Sequence, residues 1–152
     1  MSLTLNSLGD LAINGVNNRL PTSFSENGKI IAVGNSYGTG YVKVYEFAND
    51  VWTQKGSTIN GESDDNNGNF GYDLKLSSNG LRLVISAYNY NDLGKIYTYN
   101  WNGSDWAKTT SDLIGDRKGS ENPLYGRGID MTPDGTKLLV GAPEYGFRNG
   151  VK

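Results

Sequence analysis

The sequence predicts an all-β fold made from one antiparallel meander written three times, and three observations carry that prediction. The first is a period. The turns Ser25-Glu26-Asn27-Gly28, Ser77-Ser78-Asn79-Gly80 and Thr132-Pro133-Asp134-Gly135 place their glycines 52 and 55 residues apart, and each is followed by an apolar run. The second is pattern: Leu74 and Leu76 alternate with polar residues before a turn, Leu81, Leu83, Val84 and Ile85 resume after it, and no stretch holds a convincing helical period. The third is composition, since 21 glycines suit turns and ten tyrosines suit pleated, half-buried surfaces.

Taken in order, each repeat reads as four strands. In the best defined one, Phe70-Gly71 opens a first strand, Ser78-Asn79-Gly80 turns the chain into a second, and the loop 88–93 leads to a third over 94–101. Asn102-Gly103 then turns it towards a fourth strand at Trp106, because this dipeptide tolerates the positive φ of tight hairpins. The preceding repeat matches, 40–47 against 94–101 and Trp52 against Trp106, with each tryptophan nine residues ahead of a glycine, Gly61 or Gly115. In the following repeat Tyr125-Gly126 stands where Phe70-Gly71 stood, whereas the first repeat has Asn18-Arg19 there. The repeats span about 16–62, 68–115 and 123–152, the last joined by 1–15, within a single domain over 1–152.

Four antiparallel strands at this period are the signature of β-propeller blades. Propellers typically hold about four to eight blades, so three repeats predict a half-propeller, closed as a six-bladed ring by homodimerisation. The chain opens in what reads as a fourth strand, Ser2-Leu3-Thr4-Leu5, and closes inside a third, Gly150-Val151-Lys152, so one blade is expected to draw on both ends. The competing expectation is a piece of a longer array.

Composition narrows the chemistry. There is no cysteine, hence no disulfide framework or thiolate, and no histidine, hence none of the Ser-His or Cys-His nucleophile systems and none of the usual zinc ligands. Fourteen basic and 16 acidic residues are interspersed without a basic stripe, which argues against nucleic acid. The opening residues MSLTLNSLGDLAING lack the basic start and apolar core of a secretory signal, and no run approaches the roughly 18 apolar residues of a membrane span. No membrane insertion is expected.

The third repeat, with Tyr125-Gly126, Met131-Thr132-Pro133-Asp134-Gly135, Gly141-Ala142-Pro143 and Gly150-Val151 in that order, resembles the FG-GAP repeat of integrin-type β-propellers. The second keeps Phe70-Gly71 but has Ser86-Ala87-Tyr88 for the Gly-Ala-Pro, and the first has Val33-Gly34-Asn35. The resemblance implies a propeller, and it points to an extracellular or surface location that the residues themselves leave open. Calcium-binding repeats of that family carry an acidic loop between the aromatic-glycine strand and the Gly-Ala-Pro strand. Here the connection is only Ser78-Asn79-Gly80 or Pro133-Asp134-Gly135, while calcium takes about six to eight oxygens, so no metal or other cofactor is expected.

In an up-and-down blade the loops between second and third strands share a face with those leading into the next repeat. The first set supplies the candidate ligand-binding residues Tyr37, Tyr88, Asn89, Tyr90, Asn91, Asp92, Glu144, Tyr145 and Arg148; the second holds Glu62, Asp64, Asp65, Asn66, Asn67, Asp116, Arg117 and Lys118. Tyrosine gives rigid contact area and asparagine adaptable hydrogen bonds, a pairing suited to a glycan or protein. Glu62-Ser63-Asp64-Asp65 lacks the ordered spacing of a calcium loop and reads as a solvated acidic turn. Asp73, Lys75, Arg127 and Asp130 fall on first strands; ion pairing is expected there ahead of a glycosidase-type pair from Asp73 and Asp130. The recurrence of Trp52 and Trp106 predicts packing between repeats, and Asn102-Gly103-Ser104 reads as a turn ahead of a glycosylation site.

The expected function is therefore a non-catalytic binding module that recognises a glycan or protein through one loop face. The alternatives are a structural or assembly module of a larger surface or virion-like protein and, more remotely, a hydrolase using first-strand carboxylates.

Overall fold

The computed structural model describes residues 20–62, 68–109, 111–116 and 123–144. Within them the protein is all-β, with a single 3-10 turn at Tyr90–Asp92. The first sheet takes β1 (Thr22–Phe24), β2 (Ile30–Asn35), β3 (Tyr41–Ala48) and β4 (Val51–Gln54) in chain order, with β5 (Ile59–Asn60) also on β3. The second repeats that plan: β6 (Phe70–Leu76), β7 (Arg82–Ala87) and β8 (Lys95–Trp101) in order, with β9 (Trp106–Lys108) and β10 (Leu113–Ile114) both on β8. In the third repeat the hairpin of β11 (Gly128–Met131) and β12 (Leu138–Gly141) is described. All pairings are antiparallel, and none of the sheets closes on itself.

The fourth strand of each complete repeat, expected as one piece, comes as two. In the first sheet the break falls at Gly56, whose φ of +79° bends the chain where a Cβ would press on Trp101, Trp106 and Asp105 of the next repeat. The break in the first repeat thus lies against Trp101 and Trp106 of the second. Trp106 is buried and its Nε1 donates to the Lys55 carbonyl at 2.9 Å, so this residue does pack one repeat on another. Asp105 Oδ1 accepts from the Ser57 amide at 2.8 Å across the same joint. Trp52, half-buried, instead lies against Phe47 of its own sheet at 5.2 Å between ring centroids.

The three turns that set the period are one structure. In each, the first residue's hydroxyl lies within hydrogen-bonding distance of an Asx oxygen two residues on, at 2.8 Å for Ser25–Asn27, 2.7 Å for Ser77–Asn79 and 2.6 Å for Thr132–Asp134. The same hydroxyl accepts from the amide five residues on, from Ile30, Arg82 and Lys137 at 3.0, 2.9 and 3.0 Å. The glycine between them has φ of +68°, +68° and +73°, a conformation open to glycine without a Cβ penalty. Replacing Ser77 with alanine removes the shared hydroxyl from a buried turn and is expected to lower stability by about 1 to 2 kcal/mol, read from urea denaturation.

Successive turns are also bonded to each other, Glu26 N to Ser78 O at 2.9 Å and Ser78 N to Pro133 O at 2.6 Å. The first strands stand side by side, with β6 in contact with β1, β2 and β3 on one side and β11 on the other. Between the sheets lies the core. Ile30, Ala32, Val42 and Val44 of the first sheet cluster with Leu74, Leu76, Leu83 and Ile85 of the second, while Val84 and Ile96 on the second sheet's other face meet Ile129, Leu138 and Val140. Burying one such side chain contributes about 1.5 to 3 kcal/mol, so these joints account for much of the fold's stability.

A second signature fixes the spacing of the sheets. The Gly61 amide donates to Gly40 O at 3.0 Å, and a Cβ on Gly40 or Gly61 would collide with Phe70 or Thr39. One repeat later Gly115 donates to Gly94 O at 2.9 Å, and a Cβ on either would run into Tyr125 or Leu93. The aromatic-glycine pair visible in the sequence is therefore the piece that seats each repeat on a bare glycine pair of the one before.

Candidate functional site

The two families of loops do meet on one face. Asn69 Nδ2 donates to Ser36 O at 3.3 Å, and the Asn89 amide to Gly68 O at 3.2 Å, tying each second-to-third-strand loop to the segment entering a first strand. On that face Tyr37 is 65% exposed, its amide held by Asn35 Oδ1 at 3.0 Å. Tyr88 is half-buried and packs against Tyr72 with ring centroids 4.4 Å apart and the planes tilted by 59°. Asn91 and Asp92 are exposed on left-handed backbone, φ +48° and +56°, which short polar side chains tolerate better than most. Asn89 holds that turn by accepting from the Asp92 amide at 3.1 Å. Glu144 is exposed with its amide 3.4 Å from Pro123 O. Tyr145 and Arg148 lie outside the described residues, as do Asp64, Asp65, Asn66, Asn67, Arg117 and Lys118. Tyr72, two residues past Phe70, was missed in the sequence because it falls on a first strand and not in a loop.

Tyr90 does something else. Its ring lies over Lys95 Nζ at 4.5 Å and its hydroxyl bonds Glu62, so it belongs to a charged cluster between the first two repeats. Lys95 Nζ sits 2.9 and 3.0 Å from the two Glu62 oxygens and 3.1 Å from Asp112 Oδ2. Lys108 Nζ closes the square, 3.3 Å from Glu62 Oε1 and 2.9 Å from Asp112 Oδ2. Tyr97 presents its ring to both ammonium groups at 4.7 and 4.8 Å. Glu62, read in the sequence as the start of a solvated acidic loop, is instead held by two lysines. The separation of 33 residues between Glu62 and Lys95 hid that pairing; the Lys108–Asp112 spacing of four was its one local trace. The first repeat builds the same place with neutral groups, Gln54 Nε2 bonding Thr58 Oγ1 at 3.3 Å.

Electrostatics show what this cluster can do. Burial pushes the Glu62 carboxyl up, but hydrogen bonds from Lys95, Lys108 and Tyr90 outweigh it and hold the group below its ordinary range. Burial pushes Lys95 down, and Glu62 and Asp112 overcome that and hold it above its ordinary value. A lysine kept protonated is no amine nucleophile. Burial raises the Tyr97 phenol and pushes that of Tyr99 up to about 12, so both stay neutral. The charges balance within the square, and no group of three or more metal-ligating side chains occurs among the described residues.

The first-strand carboxylates are committed to backbone. Asp73 Oδ1 accepts from Leu74 N at 2.9 Å and Oδ2 from Ile129 N at 3.0 Å, bracing the second repeat against the third. Asp130 Oδ1 accepts from Met131 N at 3.0 Å and lies 3.8 Å from Lys75 Nζ, an exposed ion pair between neighbouring first strands. The structure does not bring the two aspartates together as a free acid/base pair. Arg127 is exposed.

No protein-family model and no curated protein matches the chain. Among solved structures it is similar to a Bacteroides uniformis ATCC 8492 protein described as a "putative 6-phosphogluconolactonase", at 22% identity and a TM-score of 0.50, over 78% of this chain and 31% of that one. The likeness is one of fold. This chain spans less than a third of that protein's length, and what they share is antiparallel β architecture.

Proposed function

We propose that the chain is a β-propeller-type repeat module that binds a glycan without catalysis, through the face carrying Tyr37, the Tyr72–Tyr88 pair, Asn91 and Asp92. The observation that carries this reading is the contrast between that face and the rest. Its loops are fixed by one bond between repeats, Asn69 to Ser36, and one within the second, Asn89 to Gly68, yet it presents an exposed ring at Tyr37 and exposed polar groups at Asn91 and Asp92. Rings stack on the apolar faces of sugars, and amides and carboxylates bond their hydroxyls. The side-by-side first strands, the face-to-face sheets and the FG-GAP-like motifs support the propeller, and a second copy completes its ring.

A lactonase reading, raised by the name of the structural neighbour, finds less support. A phosphorylated sugar acid calls for a cluster of cations, and the lysines that stand together, Lys95 and Lys108, each already serve two carboxylates. A protein ligand is the nearer competitor. On a glycan array the wild-type chain is expected to give a selective signal, and Tyr37→Ala to weaken it about tenfold, equal to about 1.4 kcal/mol. A silent array, or a Tyr37→Ala signal equal to wild type, contradicts the glycan reading.

A further inference from the structure

We propose that Asn102-Gly103 is a self-modification site, where the Gly103 amide nitrogen attacks the Asn102 side chain and the product loosens the joint between the first and second repeats. The reaction is independent of any ligand. Four Asn-Gly pairs stand among the described residues, headed by Asn27, Asn60, Asn79 and Asn102. In all of them the peptide nitrogen has no Cβ beside it, which lets it approach the neighbouring side-chain amide carbon. The state of that nitrogen separates them. Gly28 N donates to Ser25 O at 2.9 Å, Gly80 N to Ser77 O at 2.8 Å and Gly61 N to Gly40 O at 3.0 Å. To attack, each of these would have to give up its bond and leave a backbone acceptor unpaired. The Gly103 amide donates to no group among the described residues, and Gly103 is exposed with open space around it.

The carbon under attack is also better prepared here. Asn102 Oδ1 accepts from the Ser104 amide at 2.9 Å, the Ser104 hydroxyl at 3.0 Å and the Asp105 amide at 2.9 Å. Holding that oxygen on the amide two residues on folds the side chain over the intervening peptide, the one that carries the Gly103 nitrogen. Three donors on one carbonyl oxygen stabilise the negative charge it takes up when its carbon is attacked. Asn27 and Asn79 fold the same way with two donors each, a serine hydroxyl and one amide. In the reaction the Gly103 nitrogen gives up its proton and bonds to Asn102 Cγ, and the Cγ–Nδ2 bond breaks with Nδ2 taking up a proton and leaving as ammonia. Water then opens the cyclic imide at either carbonyl carbon. One product is aspartate at position 102; the other is isoaspartate, in which the main chain runs through the side chain and gains a carbon. That extra carbon enters a tight turn, where Trp101 pairs with Trp106 and the Asn102 amide donates to Asp105 O at 3.1 Å. Just beyond it stand the groups that hold the first repeat, Asp105 on the Ser57 amide and Trp106 on the Lys55 carbonyl.

Peptide mapping by mass spectrometry tests this on the folded chain, aged in mildly alkaline buffer well below its melting transition. Asn102 is expected to convert about tenfold faster than Asn27, Asn60 or Asn79. In urea, where the turns are gone, the four should convert at comparable rates. Ser104→Ala removes one donor from Asn102 Oδ1, and should slow conversion in the folded chain about three- to tenfold without changing the rate in urea. Chains carrying isoaspartate should melt below Asn102→Asp, which has the same charge on an unlengthened backbone. Four outcomes overturn the proposal. They are an Asn102 that converts no faster than the other three in the folded chain, a preference for Asn102 that persists in urea, a folded Ser104→Ala rate equal to wild type, and isoaspartate chains that melt with Asn102→Asp.

Discussion

Replacing Gly94 with alanine is expected to lower the stability of the chain by about 3 to 4 kcal/mol, a loss of roughly 2 M in the urea midpoint. Two penalties combine. Gly94 has φ of +87°, where an L side chain is strained by about 1 to 2 kcal/mol, and its new Cβ would meet the Tyr125 carbonyl. A backbone carbonyl in the neighbouring repeat cannot swing aside as a side-chain tip can, so the two repeats must separate. Gly40→Ala, with φ of +74° and the Phe70 carbonyl in the same relation, should lose as much. Gly128→Ala has open space around its Cβ and should stay within about 0.5 kcal/mol of wild type. Equal behaviour of all three would mean that the glycine pairs do not set the spacing of the sheets.

The second large effect concerns the charged square. Glu62→Gln leaves the Lys95 ammonium, with a side chain only 7% exposed, dependent on Asp112 alone, and should destabilise by about 2 kcal/mol. That figure lies below the 3 to 5 kcal/mol typical of a fully buried pair because the Glu62 side chain is 32% exposed. Asp130→Asn, which breaks an exposed pair, should change stability by less than about 0.5 kcal/mol. The pH dependence follows in sign. Glu62 is held below its ordinary value of 4.5, so its contribution is present above that pH and is lost as pH falls through the lowered value. Lys95 is held above 10.5, so its contribution is present below that pH and is lost as pH rises past the raised value. Tyr97 and Tyr99, ordinarily near 10.0 and raised by burial, steepen the alkaline arm. Wild type should therefore be flat between about pH 5 and 9 in thermal denaturation. Glu62→Gln should shallow the acid arm without abolishing it. Asp105, lowered first by the Ser57 amide, and Asp134, lowered first by the Thr132 hydroxyl, still lose hydrogen bonds on protonation.

Much of this architecture was legible in residues because it is made by local chemistry. The Ser-x-Asn-Gly and Thr-x-Asp-Gly turns close through groups five residues apart, so their sequence is their structure, and copying them copies the hairpin. The seat of Phe70 and Tyr125 on glycine pairs left an equally plain trace. What stayed hidden depends on contacts between repeats. Nothing near Gly56 announces that Trp101 and Trp106 will pack against it, and nothing near Glu62 announces Lys95. Tyr90 looked like its neighbours in a tyrosine-asparagine loop, and only the lysine beneath it turns it from a ligand contact into part of a joint. Conversely, Asp73 sat in a strand as a candidate acid, whereas both of its oxygens brace backbone amides.

The claim at the centre of this account is that the loop face carries the ligand while the first strands only hold the repeats together. Amide chemical-shift mapping tests it most directly, with the labelled chain titrated by an oligosaccharide that scores on the array. Shifts centred on Tyr37, Tyr88, Asn91 and Asp92, with Asp73, Lys75 and Asp130 undisturbed, are the predicted result. Shifts centred on those three first-strand residues would contradict it and return the first-strand carboxylates to consideration as the working site.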